Sequence, residues 1–249
     1  DMQINISIMY GLFCKSTLYK MINNAGKHKD VNANICDSST CCQAWISKED
    51  RLKKWNEKDR DMYWNKIVNA VNTTQGKIIT YGGKPINAFF HANSGGATEA
   101  PVNVWGGTGY PYLQTVTTSG ENAYSGYSSK VTVSKKDFES KIKEEHSNFK
   151  INFNDKECIK IKEYTDGNRV KTIKIGNLEL SGVEIRSIFS LRSANFKVTI
   201  QDDSIIFEVV GYGHGVGMSQ TGADSLAKEG KNYEEIIKHY YTGVKIEDM

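Results

Sequence analysis

A strand-like run from Ile205 to Tyr212, apolar but for Glu208 over its first six residues, passes directly into Gly213-His214-Gly215-Val216-Gly217, and this junction constrains the fold more than any other stretch of the chain. The run pairs by its turn chemistry with Phe196-Lys197-Val198-Thr199-Ile200, the two strands flanking Gln201-Asp202-Asp203-Ser204. Beyond the glycines, Ser219 to Ala227 has helical spacing. A strand that runs through alternating glycines into a helix start can hold an anion or a polar ligand against free backbone N–H groups. The spacing matches neither the dinucleotide fingerprint nor the phosphate loop with its lysine.

The chain has 22 glycines, and many of them fall within residues 78–113 and 211–223. The first of these regions contains His91-Ala92-Asn93-Ser94-Gly95-Gly96-Ala97-Thr98-Glu99, expected to emerge from a hairpin built around Gly82-Gly83-Lys84. Two adjacent glycines let a ligand approach the backbone closely, while His, Asn, Ser, Thr and Glu offer donors and acceptors suited to sugar hydroxyls. The irregular stretch from His91 to Gly126 is too long to be an ordinary connection, and loops of that length are more often functional than idle.

Composition removes several classes. A net charge of +3, with Lys and Arg spread along the chain, leaves no clustered basic footprint, so nucleic acid is not an expected partner. There is no apolar run of about eighteen residues, and residues 4–13 lack the basic start of a signal peptide. Of five cysteines, Cys36, Cys41 and Cys42 fall within seven residues, poor spacing for a disulfide framework and good spacing for a metal clip. With His28 they offer one imidazole and two or three thiolates, enough for a tetrahedral structural zinc. Adjacent cysteines rarely both bind one ion, so the expected ligands are His28, Cys36 and Cys42, with Cys41 as a candidate fourth.

Periodicity gives an α+β fold with mixed or antiparallel sheets, flanking helices and the long irregular loop around a substrate groove. Helical patterns cover residues 15–25 and run from a cap at Ser47 to about Asn72. Further helices are expected after Ser134, after Ser181 and over Tyr233 to Tyr241, and strands over 158–163 and 169–175. The whole of 1–249 reads as one domain, helical with the metal clip over 15–76 and sheet-rich over 77–249.

Taken together, several segments resemble stage II sporulation protein D and the related amidase-enhancer proteins. They are Ala88-Phe89-Phe90-His91, Ser94-Gly95-Gly96-Ala97-Thr98-Glu99, Val104-Trp105, Tyr112-Leu113, Gly182-Val183-Glu184-Ile185-Arg186, Leu191-Arg192-Ser193, Gly211 to Gln220 and His239-Tyr240-Tyr241. The resemblance spans roughly residues 18–246, and Cys42-Gln43 matches the end of a His, Cys, Cys-Gln zinc pattern found in some members. It implies a lytic transglycosylase of peptidoglycan that cleaves the MurNAc–GlcNAc bond in strands stripped of stem peptides during engulfment in sporulation. The implied setting is extracytoplasmic, facing the cell wall, with a membrane anchor upstream. The implied partners are glycan strands, a cell-wall amidase or endopeptidase and membrane sporulation proteins.

That chemistry needs one carboxyl group to protonate the leaving oxygen and then accept the proton of the sugar's 6-hydroxyl. In the family this group lies in a Glu-Met-Pro segment. Residues 1–14 do not match that segment, so the catalytic residue is unknown and is expected upstream of this chain. What is present reads as the substrate-binding part: His91, Ser94, Gly95, Gly96, Thr98 and Glu99 on one wall, and His214, Ser219 and Gln220 on the other. A glycan-binding module that stimulates an amidase without catalysis is the alternative.

Overall fold

The computed structural model describes residues 36–38 and 44–248. The helix expected over 15–25 lies outside the described residues, as do His28, Cys41 and Cys42. Among the described residues the protein is α+β, with small antiparallel sheets and one short parallel pair. It divides into two compact units, residues 1–89 with 226–249, and residues 90–225.

In the first unit, Ser47 caps α1 (Lys48–Lys53) by accepting the Asp50 N–H at 3.1 Å. The helical pattern expected to run on to Asn72 is broken here. Asn56 turns extended (φ −56°, ψ 137°), a 3-10 turn follows at Glu57–Asp59, and α2 (Arg60–Thr73) restarts the helix. Asparagine competes for backbone hydrogen bonds and so favours such breaks. Arg60 seals this one by donating from Nε to the Trp55 carbonyl at 3.3 Å.

The hairpin follows, with β1 (Lys77–Tyr81) antiparallel to β2 (Lys84–Pro85) across a two-residue glycine turn. Pro85 cannot donate to a ladder, and the strand stops there instead of reaching Phe90. Far along the chain, α7 (Tyr233–Tyr240) opens with a capping box between Asn232 and Glu235. The unit's core joins Ile78, Ile79 and Ile86 to Ile236, Ile237, Tyr240 and Tyr241.

In the second unit, β3 (Phe90–His91) lies just before the irregular stretch, which is interrupted only by α3 (Pro101–Trp105) and a 3-10 turn at Glu121–Ala123. Next come β4 (Ser128–Ser134) and α4 (Lys135–Glu145), capped by Ser134 on the Asp137 N–H. A meander of β5 (Ile159–Tyr164), β6 (Val170–Ile175) and β7 (Leu178–Ser181) leads through the Ser181 capping box into α5 (Gly182–Ile188). The expected hairpin is present as β8 (Phe196–Ile200) and β9 (Ser204–Val210), and β4 completes its sheet in the order β4-β9-β8.

One apolar cluster holds the unit together. Phe138 on α4 stacks on Phe189 with ring centroids 5.0 Å apart and an interplanar angle of 13°, and Phe189 meets Phe207 on β9 at 5.1 Å. Such ring pairs contribute about 0.5–1.5 kcal/mol each beyond the area they bury. This core fixes the end of β9, where the glycine run begins. After that run, β10 (Met218–Ser219) pairs in parallel with β3, Met218 opposite Phe90 and Ser219 opposite His91, and α6 (Gln220–Lys228) follows.

Candidate functional site

The β3–β10 pair brings the two glycine-rich segments side by side, and further backbone bonds lock them. Asn93 and Tyr212 exchange N–H to carbonyl bonds of 3.0 and 2.8 Å, and the Glu99 N–H donates to the Gly215 carbonyl at 2.8 Å. Glycine is required where the chains touch. At Gly213 (φ +115°) an added Cβ would lie 2.7 Å from the His91 Cβ, and at Gly215 (φ +84°) it would lie 2.2 Å from the Arg169 guanidinium.

The hub of this arrangement is Glu121, a residue that sequence reasoning did not single out. It is buried in the 3-10 turn, and six protein groups are directed at its carboxylate. One oxygen receives the Ser94 N–H at 3.0 Å, the Thr221 hydroxyl at 3.0 Å and the Ser219 hydroxyl. The other receives the Ser94 hydroxyl at 2.5 Å, the Thr118 hydroxyl at 2.6 Å and the Gly96 N–H at 3.0 Å. Burial pushes its pKa up, but the bonds from Ser219, Ser94 and Thr118 outweigh this and hold it at about 2. Glu121 is therefore an ionised fastener between the two segments and has no proton to give.

Arg169, at the start of β6, is the second residue missed. Its guanidinium is buried over Gly215 and donates to the carbonyls of Ser94 (2.9 Å), Ala97 (3.0 Å) and Gly167 (2.8 Å). Burial lowers its pKa to about 10, opposed by the nearby charges of Glu99 and Glu121. No pattern of spacing marks either residue, since the groups that give each its meaning lie far away in sequence.

Each residue expected at the site has a definite place. Ser94, Thr98 and Ser219 are fully buried with their hydroxyls bonded to protein: Ser94 and Ser219 to Glu121, and Thr98 to the Gln114 carbonyl and the Val116 N–H. Gly95 donates to the Asn93 side chain and Gly96 to Glu121. Glu99 is buried too, accepting the Ala100 N–H (2.8 Å), the Asn103 amide (2.8 Å) and the Thr165 hydroxyl. Gln220 is half-buried at the start of α6. Of the expected metal ligands only Cys36 is among the described residues, where it is half-buried.

The histidines meet. His91 is buried, its Nδ1 facing the Val216 carbonyl at 3.2 Å, and its Nε2 has no partner among the described residues. Its ring centroid lies 5.7 Å from that of His214, which in turn lies 5.2 Å from the ring of Trp105. His214 accepts the Val216 N–H on Nδ1 at 3.0 Å and forms a second backbone bond with Phe90. Burial, with help from the neighbouring His214, lowers the His91 pKa to about 3, and burial with the charges of Arg186 and Arg169 lowers that of His214 to about 4. Both are neutral at physiological pH.

The sign of the pH effect follows. A histidine whose folded pKa lies below its unfolded value of 6.5 adds stability above pH 6.5 and loses it as pH falls toward the folded value. Ring-proton NMR is expected to show no titration of His91 or His214 between pH 5.5 and pH 8, while stability declines as pH drops below about 6.5. A midpoint near 6.5 for either ring would contradict this environment.

Beside this lattice is a small cleft lined by Glu99, Asn103, Thr165, Arg169, Arg186 and His214, among others. Trp105, 49% exposed, carries the aromatic surface onward from His214, and Tyr212, 50% exposed, lies under the Arg192 guanidinium at 5.2 Å. The arrangement presents flat aromatic faces and fixed hydrogen-bonding groups, a surface for a polar ligand with apolar ring faces.

Comparison with known proteins places the chain. A family model described as stage II sporulation protein matches residues 12–81. Stage II sporulation protein D of Bacillus amyloliquefaciens is 35% identical over 216 residues, 86% of this chain and 60% of that protein. The chain is thus similar to the stage II sporulation protein D family over most of its length. The same protein of Bacillus subtilis (strain 168) is 34% identical over 86% of this chain and 60% of its own length. An amidase enhancer of Bacillus subtilis is 28% identical over 74% of this chain and 33% of its own length. The chain thus spans about 60% of the two sporulation proteins, and those matches take in most of the sequence from which the lattice and the cleft are built.

Proposed function

We propose that the cleft beside Glu99 and His214 binds glycan strands of peptidoglycan, and that the protein takes part in sporulation as an extracytoplasmic lytic transglycosylase. The observation that carries this reading is the exposed pair Trp105 and Tyr212 beside a cleft lined by fixed polar groups. A pyranose has apolar faces that pack on such rings and a polar edge that needs donors and acceptors held in place. The resemblance to stage II sporulation protein D suggests the reaction class, cleavage of the MurNAc–GlcNAc bond in denuded strands.

The site's own residues prepare the ligand rather than break the bond. Glu121 is held ionised by its six donors, and Glu99 accepts three hydrogen bonds from the protein. His214 is engaged by backbone at Val216 and at Phe90. The proton donor is on this reading a glutamate outside the described residues, and the groups seen here hold the sugar against it. Digestion of denuded peptidoglycan by the full-length protein is expected to release anhydro-muropeptides detectable by mass spectrometry. Trp105→Ala is expected to weaken binding of glycan by about 3- to 10-fold with little change in stability, the scale of one aromatic contact. Unchanged binding by this variant would remove the aromatic platform from the proposal.

The likeness to an amidase enhancer favours a second reading, in which the glycan-binding module stimulates a cell-wall amidase. Faster amidase turnover on adding the protein, with no anhydro products, would select it. We also propose a structural zinc held by His28, Cys36 and Cys42, with Cys41 as the candidate fourth ligand that would close the tetrahedron, because an imidazole with thiolates is a donor set that suits this ion. Protein purified without chelators is expected to carry about one zinc per chain and to lose thermal stability when stripped. Substoichiometric metal would rule the clip out.

A further inference from the structure

Several surface cations of the second unit are matched: Lys143, Lys160, Lys162 and Lys171 each pair with a glutamate. Arg186 differs from these in being partly buried on the cleft. It lines the cleft from α5, is more than half buried, and donates from Nε to the Leu191 carbonyl at 3.3 Å. Among the described residues no carboxylate pairs with it; the ionisable groups around it are the Tyr212 phenol, His214 and Arg169. Two carboxylates, Glu99 and Glu121, face Arg169 instead, and Glu99 is already taken up by three protein donors.

Arg169 itself is 3% exposed, and its Nε has no partner among the described residues. A half-buried guanidinium without a counter-charge is costly, as is a buried donor without an acceptor. Both line the same small cleft, where the ring of Trp105 lies 5.2 Å from that of His214 and the Tyr212 phenol acts on Arg186.

We infer that Arg186, backed by Arg169, is a carboxylate subsite that selects sugars bearing a free acid group. The inference rests on the glycan reading above and adds to it the chemical feature that the cleft distinguishes. Guanidinium forks match carboxylates bidentately, and a buried charge left unmatched by a neutral ligand is a strong means of rejecting it. In a peptidoglycan strand the only such acid on the sugar backbone is the lactyl carboxylate of MurNAc, which is free when no peptide is attached. Arg186 would thus be a specificity-determining residue: stem peptides convert its target into a neutral amide.

Calorimetric titration of the full chain with three probes tests this: a GlcNAc–MurNAc tetrasaccharide with free lactyl acids, its lactyl methyl ester, and chitotetraose. The free acid is expected to bind at least tenfold more tightly than the ester or chitotetraose, with the preference declining as salt is raised. Arg186→Gln is expected to bind all three alike, at the affinity the unaltered protein shows for chitotetraose, and Arg186→Lys to recover part of the preference. Equal affinity of the unaltered protein for acid and ester would overturn the carboxylate subsite and leave the glycan reading standing. Binding of none of the three would overturn both. Full acid preference in Arg186→Gln would assign recognition elsewhere and sink the role given to Arg186; circular dichroism of the variant shows that it is folded.

Discussion

Replacing Glu121 by alanine is expected to lower the stability of the second unit by about 3–5 kcal/mol, the range seen when a buried, fully hydrogen-bonded charge is removed from its partners. The substitution takes away one carboxylate and strands six groups directed at it, among them the Ser94 and Gly96 N–H groups and the hydroxyls of Thr118 and Ser219. Its pH signature separates it from a simple cavity. Because the folded pKa of Glu121 is depressed from 4.5 to about 2, its ionisation contributes stability that is complete above pH 4.5 and lost as pH falls toward 2. That contribution is roughly 3 kcal/mol on a scale of about 1.4 kcal/mol per pH unit. Urea denaturation at pH 7 and pH 3.5 should show the gap between Glu121→Ala and the unaltered protein narrowing at the lower pH. A gap of equal size at both would mean that charge is not what Glu121 supplies.

The second large effect is expected at Arg169. Changing it to methionine keeps much of the side-chain volume but leaves the carbonyls of Ser94, Ala97 and Gly167 without their donor. It also removes the buried cation that faces Glu99 and Glu121, so a loss of about 3–5 kcal/mol is expected, and glycan binding should go with it. Arg169→Lys should recover little, because an ammonium is a point charge and cannot span three carbonyls as the planar fork does. Measured stabilities of both variants within about 1 kcal/mol of the original would show that the guanidinium does not hold the segments together.

The contrast between these two residues and the helix caps explains what could be read from the sequence. Ser47, Ser134 and Ser181 find their partners three residues away, so their roles are visible locally, and the hairpin of β8 and β9 is likewise a short-range signal. The strand β4 escaped because Ser128-Ser129-Lys130-Val131-Thr132-Val133-Ser134 is half polar and pairs with β9, more than seventy residues on. β7 and β11 (Lys245–Asp248) are only four residues long, and β11 takes its register from β1, with Lys77 opposite Asp248 at a separation of 171 residues. Glycine spacing and the polar residues around it pointed to two segments that the structure places side by side. It did not show that Ser94, Thr98 and Ser219 face inward, because which side of a loop is buried depends on what crosses behind it, here Glu121 and Arg169. Likewise the pattern 47–72 contains no proline or glycine to announce the break at Asn56.

The fastener at Glu121 joins residues 27 positions upstream to residues 98 and 100 positions downstream, and the Asn93 amide reaches 128 positions to Thr221. Bonds across such spans are entropically expensive to close and are rewarded only when both ends arrive. The meander and the capped helices can form early from nearby sequence, but the lattice cannot close until synthesis has passed Thr221. The cleft therefore depends on segments that the chain brings together only once nearly all of the second unit exists, whereas the capped helices and hairpins beneath it are encoded locally.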